Sequence, residues 1–150
     1  SFRCFGAFEM KLQTIDVDFV LLVNKKICTL HKHKHICAHP EKIESALHAA
    51  MYPGSAPFVH GGVSEIGAAL FYYIIKAHAF FDGNKRTALI CATAFIESNG
   101  LSLKYPMSKA RNDFANLAEN CASNEIDLDT VKKWFRNHKV KMKSFGKKFI

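Results

Sequence analysis

The sequence predicts an all-α fold, a single domain built as a bundle of about six helices. Apolar residues recur at steps of three and four along five separate stretches, which is the spacing that places them on one face of a helix, and a sixth stretch is almost wholly apolar. The chain has 150 residues, of which 49% are hydrophobic. That size suits one domain with a core of its own.

The first two helices are predicted before residue 52. Their apolar positions are Phe19, Leu22, Val23, Ile27 and Leu30 in the first stretch and Ile43, Ala46, Leu47, Ala50 and Met51 in the second. Pro40 precedes the second stretch. Proline suits the first turn of a helix because it lacks an N–H group that would be unpaired there.

The other four helices are predicted after residue 62. The third has apolar positions Ile66, Ala69, Leu70, Tyr73, Ile74 and Ala77. The fourth is predicted to begin at Thr87. It continues as an almost wholly apolar run, which indicates a buried helix, and Asn99-Gly100 supplies its stop. The last two have the positions Phe114, Leu117, Ala118 and Cys121, then Leu128, Val131, Trp134 and Phe135, with Asp127 as a candidate N-cap.

Residues 78–87, between the third and fourth predicted helices, read His-Ala-Phe-Phe-Asp-Gly-Asn-Lys-Arg-Thr. The first turn of a helix leaves backbone N–H groups unpaired and carries a partial positive charge, so anions bind there. Gly83 lets the backbone approach a phosphate closely. Lys85 adds a point charge, and Arg86 adds a planar fork that can bind two phosphate oxygens. The segment therefore predicts a phosphate-binding site.

Asp82 and His78 add the chemistry of group transfer to this segment. Asp82 cannot bind an anion directly and is predicted to hold Mg²⁺, which bridges one or two carboxylates to nucleotide phosphates. A neutral His78 imidazole can take the proton from an attacking hydroxyl. Each residue alone has a simpler interpretation as a packed side chain or part of a turn. Their combination between two apolar helices is hard to explain by packing.

Residues 78–89 resemble the signature of the Fic/Doc (Fido) superfamily, and in particular of its death-on-curing (Doc-like) branch. Residues 21–27 and 44–47 resemble the first helices of that branch, and residues 98–100 resemble its helix end. The resemblance covers residues 9–137, which we interpret as the Fic/Doc (Fido) domain. Residues 138–150 are left as a basic C-terminal tail.

The resemblance implies a transferase that moves part of a nucleotide onto a protein hydroxyl, using ATP or another nucleoside triphosphate and Mg²⁺. His78 would be the general base, Asp82 the Mg²⁺ ligand and Arg86 a phosphate clamp, with Lys85 beside them in the catalytic set. Gly83 and Asn84 would form part of an anion-binding nest. The nucleotide-binding set that the resemblance implies is Phe80, Gly83, Asn84, Lys85 and Arg86.

Lys85 separates two chemistries within the superfamily. Other Fic enzymes have glycine at this position and usually transfer AMP, whereas the Doc-like branch has lysine and is associated with phosphate transfer. A lysine fills space that a glycine leaves open, which favours a reversed nucleotide with its terminal phosphate next to His78. We therefore expect a toxin kinase that phosphorylates a Ser/Thr hydroxyl of a translation factor, for which the resemblance suggests elongation factor Tu. A protein adenylyltransferase and a non-catalytic binding module of the same fold are the alternatives.

Many Fic enzymes carry an inhibitory helix with the pattern Ser/Thr-x-x-x-Glu-Gly/Asn. The nearest string here, residues 93–98, lies inside the helix after the motif and ends in serine. We interpret Glu97 as an ordinary helix-end residue. Restraint on activity is expected from a separate antitoxin protein acting in trans.

The main non-helical insert, residues 52–62, is rich in residues that form turns. In Fic relatives a flap at about this place pairs with the backbone of the target, so one interpretation is a short flap or β-hairpin that accepts an added strand along residues 56–60. The other interpretation is a plain interhelical loop. The sequence leaves both open.

The formal net charge is +8, but five lysines without any acid lie in the last twelve residues, so the rest of the chain is nearly neutral. Such a tail can contact nucleic acid, an acidic partner or ribosomes, and a solvated terminus is the simpler interpretation. Nucleic acid is not expected as a partner. No apolar run is long enough to span a bilayer, and no signal-peptide pattern is present, so a cytoplasmic protein without a membrane partner is expected.

A second cluster of metal-binding residue types lies in residues 31–39. It consists of His31, His33, His35, His39 and Cys37. Imidazole and thiolate are the usual ligands of zinc, but Lys32 and Lys34 would repel a divalent ion. The favoured interpretation is therefore a solvated polar loop after the first helix, with a zinc site as the alternative. The five cysteines of the chain are odd in number and widely spaced, which favours free buried thiols over disulfides.

Overall fold

The computed structural model describes residues 12–52 and 59–142 of the chain. These residues form six helices and two short strands, which confirms the predicted helical bundle. In chain order the elements are α1 (Val17–Leu30), α2 (Pro40–Met51), α3 (Val63–Ala77), α4 (Asn84–Ser98), β1 (Leu101–Leu103), α5 (Asp113–Ala122), α6 (Leu128–His138) and β2 (Lys139–Lys141). Among the described residues, no helix combines the length and the apolar character needed to cross a bilayer.

Local signals set where several helices begin. The Asp127 side chain accepts a hydrogen bond from the Thr130 N–H at 2.9 Å, which confirms the N-cap predicted for α6. Pro40 is the first residue of α2, as its missing N–H group favours. α4 begins at Asn84, three residues before the predicted start at Thr87. This earlier start brings the predicted phosphate-binding cations into the first turn of the helix.

α3 is the central helix, and it packs against α2, α4 and α6. Its approach to α4 is close because Gly67 has no side chain: a Cβ atom there would lie 2.5 Å from the Cγ2 atom of Ile96. Aromatic rings fill the core around this pair of helices, and the buried ones are Phe71, Phe80, Phe95, Phe114 and Phe135. The two helices that flank residues 78–83 are therefore held by buried aromatic side chains of the core.

A buried carboxylate joins α3 to α6. Glu65 accepts hydrogen bonds from the Gly62 N–H at 3.1 Å and from the Ser64 hydroxyl at 2.8 Å, and Arg136 donates to it at 3.2 Å. Burial alone would raise the pKa of Glu65, but these bonds to the charged form outweigh it, so its pKa is lowered from the ordinary value. The ionised form is thus the one that fits the folded protein.

β1 and β2 form an antiparallel pair that the sequence pattern does not indicate. Leu101 pairs with Lys141 and Leu103 with Lys139, so residues from the predicted basic tail belong to the folded domain. Strands of three residues are too short to display an alternating apolar pattern. Residues 143–150 of the tail, and residues 53–58 within the predicted flap or hairpin, lie outside the described residues.

The cysteines of the described part are free thiols, as predicted: Cys28, Cys37, Cys91 and Cys121. Burial raises the pKa of Cys91 to about 12 and that of Cys121 to about 11. These two side chains are therefore neutral thiols that pack like small apolar groups. Cys4 lies outside the described residues.

Candidate active site

The loop between α3 and α4 begins with His78 in the left-handed conformation, at φ 46° and ψ 49°. Its N–H donates to the Ile75 carbonyl at 3.2 Å, which closes the last turn of α3. A left-handed conformation is uncommon for a residue with a Cβ atom, and it costs about 1–3 kcal/mol. The imidazole is exposed at the end of a buried helix, so it stands on a rigid support as the sequence predicts.

Gly83, the N-cap of α4, adopts φ 79°. A Cβ atom at this position would also lie 3.1 Å from the Nδ2 atom of Asn24. Glycine is therefore favoured twice, by the backbone angle and by the closeness of α1. The conformation directs the chain into α4 so that Lys85 and Arg86 lie on the exposed side of the first turn.

Asn84 fixes the shape of the loop through its side chain. Its Oδ1 atom accepts a hydrogen bond from the Phe80 N–H at 3.0 Å, and its Nδ2 atom donates to the Phe80 carbonyl at 2.8 Å. The Phe80 ring itself is buried in the core. Both residues thus shape the loop, and their predicted contacts with a nucleotide stay a prediction.

The Asp82 carboxylate is held at both of its oxygens. Oδ1 accepts a hydrogen bond from the Gly83 N–H at 2.8 Å, and Oδ2 lies 2.7 Å from the Nδ1 atom of His33 in the loop between α1 and α2. About half of each side chain is exposed, at 45% for Asp82 and 49% for His33. The partly exposed carboxylate keeps lone pairs for a cation, so Asp82 fits the predicted role of Mg²⁺ ligand.

Asn24 is a functional candidate that the sequence interpretation did not single out. Its side chain is fully buried on α1, and its Nδ2 atom donates to the Asp82 carbonyl at 2.8 Å and to the Thr87 hydroxyl at 3.1 Å. Its Oδ1 atom lies 2.7 Å from the Nδ1 atom of His35 and 3.5 Å from the Cys28 thiol. One amide thus connects α1, the loop after it, the Asp82 backbone and the first turn of α4. The signal in the sequence is a lone amide within an apolar helical face.

The backbone of residues 36–39 runs along the motif loop. The Phe81 N–H donates to the Ile36 carbonyl at 2.9 Å, and the Ala38 N–H donates to the Ala79 carbonyl at 2.9 Å. Cys37 and Phe80 form the antiparallel bridge between these two contacts. The loop that the sequence suggested as a solvated connection therefore forms one side of the candidate site.

A cleft of about 400 Å³ opens beside the start of α4. Its lining residues are Asp82, Gly83, Asn84, Lys85, Arg86, Leu89, Ala115, Ala118 and Glu119. The cleft therefore brings together five of the seven residues that the sequence predicts for the site. The other two, His78 and Phe80, are not among its lining residues.

Lys85 forms an ion pair with Glu119 of α5, and both residues line this cleft. Its Nζ atom lies 2.9 Å from the Glu119 carboxylate, and both side chains are exposed. An exposed pair of this kind stabilises the fold by only about 0–1 kcal/mol, so a phosphate can compete for the lysine. Arg86 is exposed as well, and within residues 12–52 and 59–142 it forms no ion pair. Both cations are thus available to an anion in the cleft.

The histidines of residues 31–39 diverge instead of converging. His33 contacts Asp82, His35 contacts Asn24, and the Nδ1 atom of His39 lies 3.6 Å from Glu41. Across the described parts of the chain there is no group of three or more His, Cys, Asp or Glu side chains that could hold a metal ion. The zinc hypothesis therefore has no support from the geometry.

Comparison with known proteins identifies the family of the chain. The model of the Fic/DOC family matches residues 7–96, more than half of the chain. The curated protein Toxin Doc from Mycolicibacterium smegmatis is 36% identical over 64 residues, which are 43% of this chain and 48% of that protein. The chain thus spans about half the length of this curated relative. By the family match and by the motif loop described above, the chain belongs to the Fic/DOC family.

Proposed function

We propose that this protein is a Doc-like toxin that transfers the γ-phosphate of ATP to a Ser/Thr hydroxyl of a translation factor. The observation that carries the proposal is the cleft at the start of α4, where Asp82, Lys85 and Arg86 meet an unpaired helix N-terminus. A carboxylate, two cations and backbone N–H groups around one cavity are what a nucleotide with its metal requires. The name of the relative, Toxin Doc, supports the same class.

The charges of the cleft suit the phosphates of a nucleoside triphosphate. Arg86 can grip two phosphate oxygens with its planar fork, and the N–H groups of the first turn of α4 can bind another. Asp82 is the residue that would hold Mg²⁺, which supplies charge neutralisation on the phosphates when bound. Phosphoryl transfer depends mostly on such positioning and charge stabilisation, so few groups need to react themselves.

His78 is the proposed base. It would accept the proton of the attacking hydroxyl while a new bond forms between that oxygen and the γ-phosphorus. The bond between the γ-phosphorus and the oxygen that bridges it to the β-phosphorus breaks, and ADP leaves with that oxygen. The left-handed turn at His78 suits this role because it fixes an exposed imidazole four residues before the proposed metal ligand.

Lys85 is the reason to favour phosphate transfer over AMP transfer. Its side chain lines the cleft and pairs with Glu119, and so it occupies space beside the helix N-terminus. Less room is then left there for a deeply seated chain of phosphates. In the Doc-like branch the same residue type goes with phosphate transfer, whereas glycine goes with AMP transfer.

The proposed partners follow from this class of protein. A toxin that modifies a translation factor acts in the cytoplasm, and elongation factor Tu is the proposed target. The nearest inhibitory pattern, residues 93–98, belongs to α4 itself and is not a separate inhibitory helix. We therefore propose that an antitoxin restrains the protein in trans.

The test uses ATP labelled at either the α or the γ position, with Mg²⁺ and purified elongation factor Tu or a cell lysate as acceptor. We expect label on a protein from the γ position alone, and loss of that label in His78→Ala. His48→Ala is the matched control, because His48 is an exposed histidine on α2. Label from the α position would instead establish AMP transfer.

Absence of label from both positions would contradict both transfer reactions and favour the alternative, a non-catalytic binding module. That alternative also predicts that growth of cells expressing the protein is the same for the wild type and for His78→Ala. A toxin predicts that wild-type expression arrests growth and that the variant does not.

A further inference from the structure

His33 contacts the one carboxylate that the proposed function assigns to a metal ion. Its Nδ1 atom lies 2.7 Å from the Oδ2 atom of Asp82, across a sequence separation that no local pattern predicts. We propose that His33 is a positioning residue, which orients the Asp82 carboxylate for the cation that accompanies the nucleotide. This inference rests on the proposed function.

The backbone around His33 is fixed before any ligand arrives. α1 ends in a tight turn in which Lys32 adopts φ 57°, and the His33 N–H donates to the Cys28 carbonyl at 2.8 Å. Downstream, the His35 ring is held by Asn24, and the Ile36 carbonyl accepts the Phe81 N–H. The imidazole is therefore presented to Asp82 by a loop that is tied to the helix before it and to the motif after it.

The contact leaves Asp82 able to bind a cation. An ionised carboxylate has about four lone-pair directions on its two oxygens. Gly83 uses one on Oδ1 and His33 uses one on Oδ2, so each oxygen keeps a free direction. Because one bond holds each oxygen, the carboxylate cannot turn about its Cβ–Cγ bond without losing both. The two bonds thus set the plane in which the free lone pairs point.

Loss of a residue that hydrogen-bonds a metal ligand commonly weakens metal binding by about 10–100-fold. We therefore expect His33→Leu, which keeps bulk but has no donor, to weaken cation binding by about tenfold or more. His33→Asn carries an amide N–H where the Nδ1 atom stood, and it should recover most of the loss. His39→Leu is the matched control from the same loop, because the His39 side chain faces Glu41 instead of the motif.

The experiment measures binding of Mn²⁺ to the full chain in the presence of a non-hydrolysable ATP analogue, by the electron paramagnetic resonance signal of the free ion. Thermal melts of each variant establish that it is folded. The inference is supported when His33→Leu binds Mn²⁺ more weakly, His33→Asn binds it nearly as the wild type does, and His39→Leu is unchanged.

Three results would overturn it. If His33→Leu binds as the wild type does while Asp82→Ala loses binding, His33 has no positioning role and the proposed function stands. If His33→Leu and His33→Asn bind Mn²⁺ equally weakly, the N–H donor at this position does not orient Asp82. If the wild type and Asp82→Ala bind Mn²⁺ alike, Asp82 is not a metal ligand, and the proposed function loses its metal site together with this inference.

Discussion

Replacing Asn24 with alanine is expected to destabilise the fold and to release the loop that carries Asp82. The Asn24 amide is fully buried and donates to the Asp82 carbonyl and the Thr87 hydroxyl, while its oxygen faces the His35 ring. Alanine removes these three contacts, together with the longer one to the Cys28 thiol at 3.5 Å, and leaves their partners without replacements between α1 and α4. The substitution therefore breaks the connection between the two helices at the site.

The magnitude follows from the burial of each partner. A neutral hydrogen bond contributes about 1 kcal/mol net, and a buried partner left unpaired costs about 1–3 kcal/mol. Thr87 is fully buried and can find no water, whereas the Asp82 carbonyl and His35 are at least partly accessible and can be hydrated. Together these contacts amount to about 3 kcal/mol, out of the roughly 5–15 kcal/mol that stabilise a whole domain.

Urea unfolding of the wild type and of Asn24→Ala measures this difference in the free energy of unfolding. Asn116→Ala is the control, since Asn116 is exposed on α5 and its loss should change stability by less than about 0.5 kcal/mol. Hydrogen exchange of the Gly83 amide should also be faster in Asn24→Ala. If both variants unfold alike and the Gly83 amide stays protected, Asn24 does not organise the loop.

Three further outcomes are expected. Glu65→Gln should lower the free energy of unfolding near neutral pH, and the loss should shrink in acid: the lowered pKa of Glu65 means that its stabilisation is present above its ordinary value of 4.5 and disappears as the pH falls through the folded value. A loss that urea unfolding finds independent of pH would contradict this. Gly67→Ala should lower the free energy of unfolding by about 1–3 kcal/mol, because the added Cβ atom overpacks against Ile96, and the melting temperature should fall with it. An unchanged melting temperature would mean that α3 and α4 separate at little cost. Gly83→Ala should cost about 1–2 kcal/mol for its left-handed backbone and weaken calorimetric ATP binding, whereas normal binding would mean that the loop tolerates a Cβ atom.

The helical core was open to prediction because its apolar positions repeat within single elements. Residues such as Ile66, Leu70 and Ile74 lie on one face of α3 at a spacing that the sequence displays directly. The phosphate-binding motif could be predicted as well, since residues 78–87 are contiguous and their residue types indicate phosphate binding. The cations meet in one cleft because α4 begins within the motif, at Asn84.

The supports of the motif could not be read in the same way. Asn24 and His33 reach the loop across more than forty residues of sequence, through contacts that exist only after α1 has packed on α4. His33 belongs to a run of alternating histidines whose pattern suggests a metal cluster. In the folded chain the rings instead contact Asp82, Asn24 and Glu41 separately. The start of α4 was placed late because glycine and asparagine are weak helix formers and cations are unfavourable at the positive end of a helix. In the structure Gly83 is nevertheless the N-cap, and Asn84 and the two cations form the first turn.

The far wall of the cleft belongs to α5, through Ala115, Ala118 and Glu119. α5 begins at Asp113, beyond residue 96 where the family match ends. A change in this one helix can therefore alter which molecules the cleft admits while every residue of the signature stays the same. Ligand preference in such proteins should be compared through the partner of the signature lysine as much as through the signature itself.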